Sequence, residues 1–190
     1  MDAKKDRPLV KGDKPVTEDL HEWVQTFVLA LAVVVIIFTF FFRFVRVDGE
    51  SMLDTLHDKD TLIISNLFYT PKTGDIIVVQ VDEGLPPYIK RVIATEGQEI
   101  HIDYVNWQVS VGGELLDEPY VRRVAGVMRN YTGNQEETIV VGKGKIFVMG
   151  DNRNNSLDSR SGSVGQIDAH KVLGRAIFRL FPIGDVGTLT

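Results

Sequence analysis

Tyr88-Ile89-Lys90-Arg91-Val92-Ile93-Ala94-Thr95, residues 88–95, is a β-branched run that follows Pro86-Pro87 and reads as a strand. Side chains alternate across a strand, which puts Lys90 on one face with Tyr88, Val92 and Ala94, and Arg91 on the other. Runs of the same kind are predicted on both sides of it: Phe44 to Asp48, Thr61 to Ser65, Ile76 to Val81, Glu99 to Val111, Thr138 to Val141, Ile146 to Met149 and Val172 to Phe181. Gly74-Asp75, Glu83-Gly84, Gly112-Gly113, Gly142-Lys143-Gly144 and Gly150-Asp151 punctuate them. Residues 118–135 are less patterned and read as a loop or hairpin excursion. The pattern predicts a mainly β domain, a sandwich or partly open barrel, with no internal repeat and no second long helical period.

Ahead of the strands, Trp23 to Phe42 reads WVQTFVLALAVVVIIFTFFF, twenty residues without a charge. A helix of that length, rising about 1.5 Å per residue, spans roughly 30 Å, the thickness of a bilayer core. A core helix would show a polar stripe, whereas only Gln25, Thr26 and Thr39 interrupt this surface. A cleaved secretory signal needs small residues just after the run, and here Arg43-Phe44-Val45-Arg46 follow. The reading is a polar tail at 1–22, an uncleaved transmembrane helix at 23–42 and a β-rich domain at 43–190. Lys4, Lys5, Arg7, Lys11 and Lys14 precede the span, while Arg43, Arg46 and Lys59 follow it. That bias favours a cytoplasmic N-terminus and an extracytoplasmic domain in a single-pass protein of the cell membrane. The first twenty residues, polar and carrying Pro8 and Pro15, read as a flexible tail.

The formal charge is −5, with acidic and basic residues interspersed, so nucleic acid is not an expected partner. Cysteine is absent, which removes disulfides, thiolate metal sites and a cysteine nucleophile. Ser, Lys, His and carboxylates remain as chemistry-bearing groups, and no metal or other cofactor is expected.

Ser51 lies nine residues past the apolar run, in Gly49-Glu50-Ser51-Met52. An extended chain covers at most about 3.3–3.6 Å per residue, so this hydroxyl is expected within roughly 30 Å of the bilayer. Serine needs a base to become a good nucleophile. His57, His101 and His170 are available, though none sits in a recognisable triad context; His21 precedes the span. Lys90 is the other candidate. To act as a base near neutral pH its pKa must fall about three units, equivalent to about 4 kcal/mol, which burial can supply. The competing reading is an edge-strand lysine whose amine reaches water. A third dense stretch runs from Gly150-Asp151-Asn152-Arg153 through Asn155-Ser156 to Asp158-Ser159-Arg160. As a calcium loop it fails, with Arg153, Ser156 and Gly162 where a ligand, a glycine and a glutamate belong. A solvated turn competes with a loop that orients a lysine.

Together these residues resemble the bacterial type I signal peptidases, membrane-anchored Ser/Lys proteases, in their Gram-positive form. The resemblance rests on Gly49-Glu50-Ser51-Met52 with Thr55-Leu56, on Thr73 to Val79, on Tyr88 to Ile93 and on the 150–160 stretch, in the family's order. It implies Ser51 as nucleophile and Lys90 as general base. It further implies Ser156 as the hydroxyl that positions the amine, Asp158 with Arg160 as an ion pair, and supporting places for Gly49, Met52, Arg91, Asp151, Asn152 and Arg153. The implied substrates are secretory preproteins cut after an Ala-x-Ala-like site at the bilayer surface, near the secretion translocase. The chain departs from the family at Asp54, where proline is usual, at Gly49, where some members carry an oxyanion-binding serine, and at Ala94, Glu96 and Gln98, where Gly, Pro and Asp are usual. A Ser/His/carboxylate hydrolase and an inactive precursor-binding β domain are the competing readings.

Overall fold

The computed structural model describes residues 16–81, 84 and 86–189. Residues 1–15 of the expected tail, with their lysines and prolines, lie outside the described residues, as does Glu83 of the Glu83-Gly84 turn. Helix α1 runs Val16–Phe41, starting ahead of Trp23 because residues 16–22 hold no Gly or Pro to stop a helix. Within it, Leu20–Thr39 is long and apolar enough to cross a membrane. Three polar side chains in that window bond inside the helix: Gln25 to His21 at 2.7 Å, Thr26 Oγ1 to the Glu22 carbonyl at 2.8 Å and Thr39 Oγ1 to the Val35 carbonyl at 2.7 Å. Such internal pairing is what a hydrocarbon environment requires.

From Phe41 onward the chain forms a second unit. Its strands are β1 (Phe42–Arg46), β2 (Thr61–Ser65), β3 (Ile76–Val79), β4 (Tyr88–Thr95), β5 (Glu99–Asp103), β6 (Gln108–Val111), β7 (Glu114–Leu115), β8 (Glu136–Val140), β9 (Lys145–Met149), β10 (Ile167–Asp168), β11 (Val172–Phe181) and β12 (Gly187–Thr188). The mainly β expectation holds. One larger sheet has the order β1-β2-β11-β3-β4-β9-β10, with β12 on β11; a smaller one has the order β7-β6-β5-β8. Every pairing is antiparallel.

β3 is buried at all four positions, so Ile76-Ile77-Val78-Val79 reads as a continuous apolar run, whereas β2 alternates. Ile76 and Val78 pack with Val47, Met52, Leu56, Leu62, Ile64 and Ile89. Ile77 and Val79 pack on the other side with Val92, Val148 and Val172. A third core joins Ile93, Phe147 and Met149 of the larger sheet to Ile100, Ile102 and Val109 of the smaller. Each such side chain contributes about 1.5–3 kcal/mol on burial.

The expected single run Glu99 to Val111 is instead a hairpin. The Asp103 carboxylate accepts the N–H groups of Val105 and Asn106 at 2.9 and 2.8 Å, and Trp107 takes a left-handed φ of 59°. An Asx turn therefore does the work that glycine usually marks. β1 sits two residues earlier than expected, β3 and β8 differ by a residue or two at their ends, and β7, β10 and β12 are too short to carry a periodicity. Residues 116–135 form the expected excursion without strand. Alternation in β4 fails at one place: the register against β9 slips between Val92 and Ala94, and Ala94 packs beside Ile93 rather than with Tyr88 and Val92.

Candidate active site

Ser51 sits on a turn that follows the end of β1. Gly49 has a φ of 93°, a conformation that L side chains rarely adopt, which accounts for a glycine at this position. The Gly49 N–H donates to the Asp58 carboxylate at 3.0 Å, and Met52 and Leu56 anchor the turn in the core. From the other side, the Asn152 N–H donates to the Ser51 carbonyl and the Asn152 Nδ2 to the Glu50 carbonyl, both at 3.0 Å. The Ser51 N–H itself donates to no described group. Gly150 packs so closely that an added Cβ would clash with the Ser51 carbonyl oxygen and the Ser156 side chain.

Lys90 does not reach water as an exposed edge lysine would. It lies on the stretch of β4 that pairs with β3 alone, since β9 joins only from Arg91, yet it is 4% exposed. Its Nζ donates to Ser51 Oγ at 2.8 Å and to the Ile89 carbonyl at 3.0 Å, and lies 5.2 Å from the Tyr88 ring centre. Burial pushes its pKa down to about 8, against the opposing charges of Asp158 and Asp151.

Three buried arginine–carboxylate pairs frame this dyad. Arg91 grips Asp151 with Nε and Nη2, and Thr55 Oγ1 donates to the same carboxylate at 2.6 Å. Arg160 grips Asp158 through Nε and Nη2, both at 2.8 Å, while the Gly150 N–H adds a third bond at 3.0 Å. Burial alone would raise the Asp158 carboxyl, but Arg160 and Gly150 hold it below its ordinary value. Arg153 pairs with Glu118, its Nη1 at 3.2 Å. Nothing in the sequence around Glu118 marks it, because its partner lies 35 residues away.

Ser156 is placed differently from the role the resemblance implies. It is buried over Gly150, and its Oγ makes no hydrogen bond of ordinary geometry among the described residues, although it is near enough to Asp158 to help keep that carboxylate ionised. The Lys90 amine is held by Ser51 and the Ile89 carbonyl instead. Asp54 is exposed and lies 3.8 Å from Arg122. The Ala94–Gln98 departure is absorbed locally, since the Gln98 side chain accepts the Thr95 N–H at 2.7 Å. His101 lies on β5 against Thr138, and His57 is exposed; neither bonds to Ser51.

A cleft of about 420 Å³ leads to the dyad. One wall is the end of β1, Val45 to Asp48, and the other is Pro86 to Lys90; Ser51, Met52 and Leu157 complete it. β1 is an edge strand, and β9 pairs with β4 only from Arg91 onward, so both walls present unpaired backbone to the cleft. A serine beside a buried amine, in a groove between two open strand edges, has the form of a peptidase site of the serine type.

Comparison with known proteins narrows that class. The family described as "Signal peptidase, peptidase S26" matches residues 20–181, and the chain belongs to this family of serine proteases that remove signal peptides. A signal peptidase I of Bacillus amyloliquefaciens is 34% identical over 93% of both chains. Signal peptidase I T of Bacillus subtilis is 31% identical over 98% of both. A crystal structure of a signal peptidase I from Enterococcus faecalis, 27% identical, covers 56% of this chain and 97% of its own, with a TM-score of 0.45.

Proposed function

We propose that Ser51 and Lys90 form a catalytic dyad that cuts membrane-inserted secretory precursors after small residues. The 2.8 Å contact between Lys90 Nζ and Ser51 Oγ, made by an amine whose burial brings its pKa to about 8, carries this reading. Near neutral pH about a tenth of Lys90 is unprotonated. In that form it takes the Ser51 proton as Oγ attacks the scissile carbonyl, then hands the proton to the leaving amine. Water hydrolyses the acyl-enzyme by the same route. The unengaged Ser51 N–H is the donor for the oxyanion.

An extended substrate adds as a strand between Val45 to Asp48 and Pro86 to Lys90. Apolar side chains, Val47, Met52, Ile89 and Leu157, line the floor and admit small residues before the cut. α1 serves as the membrane anchor with the domain outside. The outer face of the larger sheet supports work at a lipid surface: Phe44 and Phe181 are exposed on it, and Ile183 and Phe68 are exposed at 82% and 98%. Tethering enzyme and precursor in one bilayer raises their effective concentration.

The test is cleavage of a membrane-inserted precursor bearing an Ala-x-Ala site by the full-length protein, with the product N-terminus determined. Ser51→Ala and Lys90→Ala are each expected to abolish the cut while remaining folded. Activity surviving Lys90→Ala would favour the Ser/His reading; intact precursor with the wild type would favour the precursor-binding domain.

A further inference from the structure

We infer that Glu50 selects substrates by the charge that follows the cut, favouring a basic side chain in the first residues of the released chain. The inference rests on the Ser51/Lys90 reading above and adds a selecting residue to it. The cleft that receives the acyl half of a peptide is bounded by Val47, Asp48, Met52, Ile89 and Lys90 and reaches Ser51; Glu50 is not part of its lining. The half that carries the leaving amine must therefore emerge past Ser51, on the side away from those walls. Glu50 is exposed, and its Oε2 accepts a bond from Asn155 Nδ2 at 3.2 Å. Asn155 belongs to the 150–160 loop and is likewise absent from the cleft lining. The Glu50 carbonyl is pinned by Asn152, so the backbone that carries this carboxylate cannot drift. Its Cα is one peptide, about 3.8 Å, from that of Ser51.

The charge of Glu50 is uncompensated. Among the described residues it has no cation within ion-pair distance, whereas Glu118, Asp151 and Asp158 each hold an arginine, Asp54 faces Arg122 and Asp58 faces Lys59. Asp48, the nearest other carboxylate along the chain, lines the cleft and so meets the acyl half instead. A carboxylate left open beside the nucleophile attracts a Lys or Arg of the departing segment and repels Asp or Glu. Exposed pairs of this kind change a rate about two- to fivefold and are screened by salt.

The experiment uses full-length protein in neutral-lipid vesicles with three precursors identical up to the cut, carrying Lys, Gln or Glu as the second residue after it. For the wild type at low salt, kcat/KM is expected to favour Lys over Glu by about two- to fivefold, falling toward one at about 0.5 M salt. Glu50→Gln should level the preference and Glu50→Lys should invert it. The salt series needs no variant, so a folding defect cannot mask the result. Equal wild-type rates on all three precursors, or an unchanged Lys-over-Glu preference in Glu50→Lys, overturn the inference while leaving the peptidase reading standing. A wild type that cuts none of the three takes both down.

Discussion

Asp151 holds Arg91 with both carboxylate oxygens, at 2.9 and 2.8 Å, one residue along the strand from Lys90. The same carboxylate takes the Thr55 hydroxyl, and the next residue, Asn152, holds the carbonyls of Glu50 and Ser51. Two adjacent residues thus clamp the strand that carries the amine to the turn that carries the hydroxyl. The distance between Ser51 and Lys90 is set by this clamp as much as by the sheet.

Asp151→Ala removes the carboxylate that neutralises the buried Arg91 guanidinium and is expected to cost about 3–5 kcal/mol, read as a drop in the urea midpoint. The double variant Asp151→Leu/Arg91→Met should regain most of that stability, because apolar packing replaces a buried pair at little cost. It should not regain activity, since the Thr55 tie is still missing. Recovery of both would show that the clamp matters for folding alone.

Activity should rise with pH through about 8, where Lys90 loses its proton. The protonated amine cannot accept from Ser51, so kcat/KM should fall about tenfold per pH unit well below that value. A limb near 6.5, the ordinary range of histidine, would implicate His57 or His101 instead.

How far the sequence reveals this arrangement differs by element. β2, β4 and β11 end where their β-branched runs end, and the apolar span is legible because twenty uncharged residues have few other uses. The β5–β6 turn is hidden because Asp103 and Trp107 shape it without a glycine. Lys90 is ambiguous in one dimension, since the same alternation fits a lysine whose amine reaches water; only its burial and its contact with Ser51, 39 residues away, decide it. The partnership of Glu118 with Arg153 and the packing of Gly150 are products of chain crossings that no local pattern encodes.

Lys90→Met should make the protein more stable while abolishing activity. The folded-state pKa of about 8 lies below the unfolded value of 10.5, so between these pH values the unfolded chain binds more protons and stability rises with pH. Below pH 8 the folded protein carries the full cost of a charged buried amine, about 3 kcal/mol for a shift of this size. At pH 7 the variant should therefore gain about 2–3 kcal/mol, and the gain should shrink between pH 8 and 10.5. Chemical denaturation at pH 7 and pH 10 checks both statements, and an equal gain at both would sink the account.

Gly150→Ala is expected to be far more damaging than its size implies. A Cβ there meets two groups at once, the Ser156 side chain and the Ser51 carbonyl oxygen. The first obstacle can be removed: in the double variant Gly150→Ala/Ser156→Gly both the hydroxyl and the Cβ of residue 156 are gone. The second cannot, because the carbonyl belongs to the backbone of the nucleophile, and moving it breaks the 3.0 Å bond from the Asn152 N–H and displaces Ser51 Oγ from Lys90. A displacement of about 1 Å at a reacting group costs on the order of a hundredfold in rate. Gly150→Ala should thus lose about two orders of magnitude in kcat, and the double variant should recover part of the stability but not turnover. Full recovery of turnover in the double variant would mean that Gly150 makes room only for Ser156 and that the Ser51 turn tolerates movement.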